Sequence, residues 1–134
     1  MSILMNMLDR FSSGWKAWFI LFLVTFTAAA PGVFNIPALD RDEARFAQAS
    51  KQYIETGDYL IIRYQDEFRN KKPAGIHWLQ SGSTQLLGDE DKLEIWTYRV
   101  PSWIGVGLAT LATFWCGLVF LSRPAAFIGA LLFG

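Results

Sequence analysis

Two long stretches without any charged residue dominate this 134-residue sequence. Residues 17–39 and residues 100–122 each form an uncharged, mostly apolar run of 23 residues. As an α-helix, each run would extend about 35 Å at ~1.5 Å per residue, which exceeds the ~30 Å hydrocarbon core of a bilayer. The sequence therefore predicts an all-α membrane protein in which these two runs are transmembrane helices.

A third apolar run covers residues 124–134 and is too short to cross a bilayer. We interpret it as the start of a truncated third span, so we expect the N-terminal part of a longer polytopic protein. In an alternative interpretation, the first run and the three alanines at positions 28–30 form a secretory signal with a small-residue cleavage site. The run stays apolar as far as Leu39, which favours an uncleaved anchor.

The composition excludes several other classes of protein. Twelve Lys and Arg residues balance twelve Asp and Glu residues, whereas nucleic-acid binding usually needs a basic excess. The 52% hydrophobic and 16% aromatic content excludes a disordered chain. The single cysteine, Cys116, lies in an apolar run and can form neither an internal disulfide framework nor a Cys-rich metal site.

The positions of the basic residues predict the orientation. Arg10 and Lys16 precede the first run and Arg123 follows the second, and basic residues favour the cytoplasmic side. Residues 1–16 are therefore expected to be a cytoplasmic N-terminus, and residues 40–99 an external loop. This loop holds 20 of the 24 Asp, Glu, Lys and Arg residues, so any charged chemistry is expected there.

Local patterns predict two amphipathic helices in the external loop. Asp40 and Glu43 have the spacing of a capping box for a helix over residues 42–56, which Gly57 would end in a left-handed conformation. A second helix is predicted over residues 74–87. Helices of this kind lie flat on the membrane surface or pack against other loops of the protein.

Other parts of the loop have weaker patterns. Residues 59–64 are expected to be extended, and residues 89–98 to lead helically into the second span. On the second loop helix, Ile76, Leu79, Ser83 and Leu86 or Leu87 lie on one side, so the helix is expected to be weakly amphipathic.

Acidic residues follow the first span directly and are the leading candidates for chemistry. Asp42 and Glu43 would lie where the dielectric constant falls, and desolvation and mutual repulsion there favour a general base. Arg45 is three residues from Asp42 on the same helical face and could keep that carboxylate ionised and oriented. The alternative is that these acids only stabilise the start of a helix.

Basic residues form a second cluster about thirty positions later. Arg69, Lys71 and Lys72 suit a phosphate or an anionic lipid headgroup, although a solvated charge run would look the same. His77 is the only histidine and is expected to be a hydrogen-bonded structural residue rather than a ligand. The sequence contains no nucleotide-binding fingerprint, zinc pattern or nucleophile elbow.

Taken in order, several motifs resemble those of the bacterial aminoarabinose-transferase-like enzymes. The stretch Asp-Glu-Ala-Arg-Phe-Ala at residues 42–47 resembles their Asp-Glu-x-Arg-Tyr/Phe-Ala motif, and residues 55–59 resemble the Gly-Asp turn that follows it. Residues 72–78 resemble their Lys-Pro and aromatic segment. Residues 86–88 and residues 99–101 continue the same layout, so the likeness covers roughly residues 15 to 134.

The resemblance implies a GT-C type glycosyltransferase of the protein mannosyltransferase superfamily. Such enzymes have an all-helical transmembrane bundle with juxtamembrane helices in the first external loop. They lie in the plasma (inner) membrane and move a sugar from a polyprenyl-phosphate carrier to a glycolipid, glycan or protein acceptor on the outer side. The resemblance makes Asp42 the catalytic candidate with Glu43 beside it, Arg45 a supporting residue, and Lys72, with Lys71 or Arg69, the contact to the carrier phosphate.

One position departs from the family pattern. The residue before the Lys-Pro lysine is typically acidic and implicated in metal binding, but here it is Lys71, so no metal or other cofactor is expected. This change favours a general polyprenyl-phosphate-sugar transferase over an aminoarabinose transferase. The fragment alone is expected to be inactive, because the donor cavity of such an enzyme needs further spans. Two alternatives from other classes are a polytopic transporter or flippase component and a small scaffold protein.

Overall fold

A computed structural model describes residues 7, 9–65, 67–68, 73–89, 91 and 94–134. Two short strands, β1 (Arg63–Tyr64) and β2 (Glu67–Phe68), form an antiparallel pair. The predicted all-α membrane fold is confirmed. The helices Gly14–Asn35 and Ile95–Phe120 are long and apolar enough to cross a membrane. The helices of at least 11 residues are α1 (Gly14–Asn35), α2 (Arg41–Thr56), α3 (Gly75–Leu87), α4 (Ile95–Phe120) and α5 (Arg123–Phe133).

The described chain divides into two compact units. The membrane unit contains the described residues up to Pro31 together with Trp103–Gly134. The loop unit is Gly32–Ser102 and contains α2, both strands, α3 and the first turns of α4.

In the membrane unit, α1, α4 and α5 pack through small and aromatic side chains. The ring centroids of Trp18 and Phe114 lie 5.1 Å apart in an edge-to-face contact. A Cβ atom built at Gly107 would lie 2.6 Å from the ring of Phe22, so α1 and α4 approach closely at this glycine. Small residues commonly permit such approaches between membrane helices. The buried core of this unit is Ala17, Leu21, Phe114, Ala126, Phe127 and Ala130.

Trp103 makes a second contact between α1 and α4. Its ring stacks on Phe26 with centroids 3.7 Å apart, and its Nε1 donates a hydrogen bond of 2.8 Å to the Phe26 carbonyl oxygen. Many large apolar side chains of this unit point outward and are exposed, as on a lipid-facing surface: Phe19, Leu23, Leu108, Trp115 and Val119.

In the loop unit, α2 begins and ends as its sequence predicts. The Asp40 side chain accepts a 3.0 Å hydrogen bond from the Asp42 amide, and Gly57 adopts φ 70° and donates its N–H to the Tyr53 carbonyl oxygen. The prediction of a capping box between Asp40 and Glu43 was wrong, however. The Glu43 carboxylate accepts from Arg99 instead of the Asp40 amide, because a guanidinium is the stronger donor.

The segment after α2 is less extended than predicted. Only β1 forms a strand within residues 59–64, because the Asp58 carboxylate accepts the N–H groups of Leu60 and Ile61 and bends the chain. Between the strands, Gln65 has a positive φ of 56°.

The predicted second loop helix forms as α3, and its buried side is the polar one. Leu79 and Leu86 are exposed, and the buried residues of the helix are polar. Three of them bond to Ser50 of α2, and the fourth bonds through its hydroxyl to Thr97 of α4, which compensates for their burial. The buried residues of α3 are His77, Gln80, Ser81 and Thr84.

The helical lead into α4 is shorter than predicted. The helix begins at Ile95, and the side chain of Glu94 folds back so that its Oε2 accepts the Asp89 amide at 3.1 Å. The Glu94 carbonyl oxygen accepts a hydrogen bond from the Thr97 hydroxyl at 2.8 Å. Glu94 is therefore hydrogen-bonded both to the segment before α4 and to its first turn.

Candidate active site

Asp42 lies in the first turn of α2, and its carboxylate faces solvent. Its side chain is 61% exposed, and its Oδ1 lies 3.7 Å from Nη1 of Arg45. The predicted pairing of Asp42 with Arg45 on one helical face is confirmed. The expected desolvation of this carboxylate is not found, because the side chain reaches out from the helix start into open space.

Glu43 is the next residue, and its carboxylate is fully engaged. Its Oε1 accepts from Nε of Arg99 at 2.5 Å, and its Oε2 accepts from Nη2 at 3.1 Å. The Arg99 side chain is 13% exposed and the Glu43 side chain 30%. Two neighbouring acids in the sequence thus have different surroundings: one is open, and the other is held in a bidentate ion pair.

The basic cluster cannot be placed against these acids. Arg69, Lys71 and Lys72 lie outside the described residues. Their contact with a carrier phosphate therefore stays a prediction.

A cleft of about 250 Å³ lies beside the start of α2. Small side chains form one wall, and Ile95 and Tyr98 of α4 form another. Lys51 supplies a cation and also pairs with Glu55, whose Oε1 is 3.4 Å from its Nζ. The sequence analysis missed this cleft, although the spacing of its α2 residues puts them on one face of the helix. The lining residues are Ala38, Ala44, Ala47, Gln48, Lys51, Ile95 and Tyr98.

His77 is a buried structural residue, as predicted. Its Nδ1 lies 2.9 Å from Oγ of Ser50, and the Ser50 hydroxyl also donates to Oε1 of Gln80 at 2.8 Å. The ring stacks on Phe46 with centroids 5.1 Å apart. These contacts join α2 to α3 on the interior side of the loop unit.

Tyr53 is buried beside this network. Its ring is 6.0 Å from that of His77, and its hydroxyl has no hydrogen-bond partner among the described residues. Burial, and secondarily the negative charge of Asp58, raises the pKa of the Tyr53 phenol. The sequence analysis placed Tyr53 on a helical stripe but could not show that its hydroxyl would be unsatisfied.

Comparison with known proteins gives the family relationship. An undecaprenyl phosphate-alpha-4-amino-4-deoxy-L-arabinose arabinosyl transferase of Aeromonas hydrophila is 31% identical over 98 residues, which cover 72% of this chain. The corresponding enzyme of Edwardsiella ictaluri is 24% identical over 120 residues, or 90% of this chain. The predicted family resemblance is confirmed. An uncharacterized protein of Aquifex aeolicus is 28% identical over 118 residues, or 88% of the chain.

The chain spans only a small part of these relatives. It covers 17% of the Aeromonas arabinosyl transferase, 20% of the Edwardsiella enzyme and 27% of the Aquifex protein. No family model matches the chain. No solved structure matches it either.

Proposed function

We propose that this chain supplies the first external loop and neighbouring spans of a membrane glycosyltransferase that uses a polyprenyl-phosphate-linked sugar. The observation that carries the proposal is the position of Asp42. Its carboxylate is open to solvent in the first turn of α2. This helix begins at Arg41, six residues after the end of α1 at Asn35, and α1 is long enough to span a membrane. The similarity to arabinosyl transferases supports the same activity.

In this proposal, residues 17–39 and 100–122 span the plasma membrane, residues 124–134 begin a third span, and the N-terminus is cytoplasmic. The loop over residues 40–99 then lies on the outer side with its acceptor. The position of Arg10, Lys16 and Arg123 outside the uncharged runs supports this orientation.

Asp42 acts on the acceptor. It orients an acceptor hydroxyl and takes its proton as the acceptor oxygen attacks the anomeric carbon of the donor sugar. Arg45, whose Nη1 is 3.7 Å from Oδ1 of Asp42, orients the carboxylate toward the acceptor. The displacement is in line, so the bond from acceptor oxygen to anomeric carbon forms as the bond to the carrier phosphate breaks, and the anomeric configuration inverts.

Lysines act on the leaving group. The electron pair of the breaking bond goes to the carrier phosphate, and Lys72, assisted by Lys71 and Arg69, stabilises the charge that develops there. The bond to the carrier supplies the driving force, so the reaction needs no nucleotide.

The substitution Asp42→Asn in the full-length protein tests the proposal. The variant keeps the size of the side chain but cannot take a proton, so transfer should fall by about 100-fold or more. The donor for the assay is undecaprenyl-phosphate-linked 4-amino-4-deoxy-L-arabinose, the sugar in the relatives' names. The same assay can then be repeated with other polyprenyl-phosphate-linked sugars as donors.

Asp58→Asn is the matched control. Asp58 is another carboxylate of the same loop, and an asparagine there can still accept the amide of Leu60. This variant should transfer sugar at nearly the unmodified rate. Near-normal transfer by Asp42→Asn would show that the carboxylate is not catalytic, and no transfer from any donor by the unmodified protein would contradict the proposed activity itself.

A further inference from the structure

Arg99, in the second turn of α4, uses all three nitrogens of its guanidinium group. Its Nε and Nη2 hold the two carboxylate oxygens of Glu43, at 2.5 and 3.1 Å. Bidentate pairs of this kind fix the relative orientation of the two side chains as well as attracting their charges. The first turn of α2 is thereby tied to the second turn of α4, although Glu43 and Arg99 are 56 positions apart in the sequence.

The remaining N–H groups of Arg99 donate to backbone carbonyl oxygens at the end of α1. Its Nη1 donates to Gly32 at 3.1 Å, to Val33 at 2.9 Å and to Ile36 at 2.5 Å, and its Nη2 donates to Pro37 at 3.2 Å. Carbonyls at a helix C-terminus lack intrahelical partners and attract a cation. One side chain therefore joins the end of α1, the start of α2 and the start of α4.

This arrangement separates the roles of the two neighbouring acids. Both oxygens of Glu43 accept from the guanidinium, so Glu43 could take a proton from an acceptor only by losing one of its two bonds to Arg99. The Asp42 carboxylate lies 3.7 Å from Arg45, and its side chain is open.

We propose that Arg99 is a positioning residue for this site. By holding both oxygens of Glu43 it fixes the first turn of α2, and it leaves Asp42 as the one carboxylate of the pair that acts on the acceptor. The inference rests on the proposed glycosyl transfer, and it assigns Glu43 to positioning rather than to proton transfer.

Kinetics of the full-length protein test the inference. Glu43→Gln should keep transfer within about 10-fold, because the amide retains one acceptor oxygen for Arg99. Arg99→Lys should lower kcat by about 10- to 100-fold, the size expected for a misplaced catalytic group, with little change in KM for the donor. Arg63→Gln removes a cation of the same loop that lies 4.8 Å from the centre of the Phe68 ring and outside the cleft; it is the control and should leave kcat unchanged.

The double variant Glu43→Gln with Arg99→Lys separates positioning from independent effects. If Arg99 acts through Glu43, the double variant should lose no more activity than the worse single variant. If the activity losses of the two single variants multiply in the double variant, that result would overturn the inference. So would a Glu43→Gln enzyme as inactive as Asp42→Asn, or an Arg99→Lys enzyme with unchanged kcat.

A spin label at position 42 gives a readout that does not depend on activity. The label is placed by Asp42→Cys in a protein without other cysteines, and its spectrum should sharpen in the Arg99→Lys background as the first turn of α2 loosens. A label at position 55, at the other end of α2, is the control and should not respond. An unchanged spectrum at position 42 would overturn the positioning role. A sharpened spectrum, together with no sugar transfer by the unlabelled and unmodified protein, would refute only the proposed function.

Discussion

Oγ of Ser50 lies 2.9 Å from Nδ1 of His77, and this contact links the two helices of the loop unit. The serine hydroxyl has one hydrogen, which it donates to Oε1 of Gln80 at 2.8 Å. Because the Ser50 hydrogen points to Gln80, the Oγ of Ser50 accepts a hydrogen bond from Nδ1–H of His77. A single small side chain thus satisfies two buried polar groups on α3.

Ser50→Ala should therefore destabilise the protein more than the loss of one hydrogen bond suggests. The variant leaves buried groups of His77 and Gln80 without their partner, which costs about 1–3 kcal/mol. Thermal unfolding in detergent measures the effect, with Ser13→Ala at an exposed site as the control. Equal melting temperatures for the two variants would show that the network contributes nothing to stability.

Tyr53→Phe should have the opposite effect. The buried hydroxyl of Tyr53 has no hydrogen-bond partner within the part of the chain that the structure describes, and the residue is 1% exposed. Removing the hydroxyl should raise the stability by about 1 kcal/mol at neutral pH. Tyr59→Phe is the contrasting variant, because the Tyr59 hydroxyl accepts from Nε2 of Gln85 at 2.6 Å. A Tyr53→Phe protein less stable than Tyr59→Phe would indicate that the Tyr53 hydroxyl has a partner.

Tyr53 also predicts a loss of stability in alkali. Burial raises the pKa of its phenol, so the unfolded chain loses this proton at a lower pH than the folded chain does. The contribution is fully present below the ordinary tyrosine pKa and is lost as the pH rises through the raised value. Unfolding curves between about pH 9 and pH 12 should show a shallower decline for Tyr53→Phe than for the unmodified protein. Parallel declines would contradict the raised pKa.

Gly107→Ala should disrupt the packing of α1 against α4. The added Cβ would lie 2.6 Å from the Phe22 ring, which is itself stacked on Phe26, so the ring cannot move aside freely. Overpacking of this kind costs about 1–3 kcal/mol.

Gly105→Ala is the matched control for this substitution. The site is two residues away on the same helix, and a Cβ there meets nothing within 4 Å among the described residues. Thermal unfolding in detergent should separate the two alanine variants. If both behave alike, α1 and α4 do not approach closely at Gly107.

Gln52→Ala should loosen the hairpin without unfolding the loop unit. The Gln52 amide group donates to the Gln65 carbonyl oxygen at 3.0 Å and accepts the Gln65 N–H at 3.1 Å. Because Gln65 has a positive φ, the side chain of Gln52 supports a turn that the backbone alone disfavours. Hydrogen exchange at the Gln65 amide should accelerate by about 10-fold, the loss of roughly one net hydrogen bond, while exchange in α3 stays unchanged. Unchanged exchange at Gln65 would show that Gln52 does not support the turn.

Features encoded over a few residues could be predicted from the sequence. Uncharged runs located the helices of membrane-spanning length, Asp40 and Gly57 marked the ends of α2, and the three-residue spacing placed Arg45 beside Asp42. Each of these depends on helix geometry or on the local turn chemistry. None requires knowing what the rest of the chain contacts.

Features that depend on distant partners could not be predicted. The spacing of Asp40 and Glu43 fits a capping box, but it cannot show that Arg99, 56 positions away, takes the carboxylate. The pattern of α3 shows a polar and an apolar stripe, but periodicity does not say which stripe faces α2. Since apolar side chains can face lipid in a membrane protein, the usual rule that leucines lie inside does not decide the orientation.

The polar inner face of α3 has a consequence for how this loop tolerates change. Apolar contacts allow a helix to rotate or slide by a fraction of a turn, whereas the hydrogen bond from Ser81 to the backbone oxygen of Ser50 on α2 is directional and fixes one alignment. Random substitution should therefore leave the outward leucines widely interchangeable with other aliphatic residues. The serine, threonine and histidine positions between the helices should accept almost nothing else.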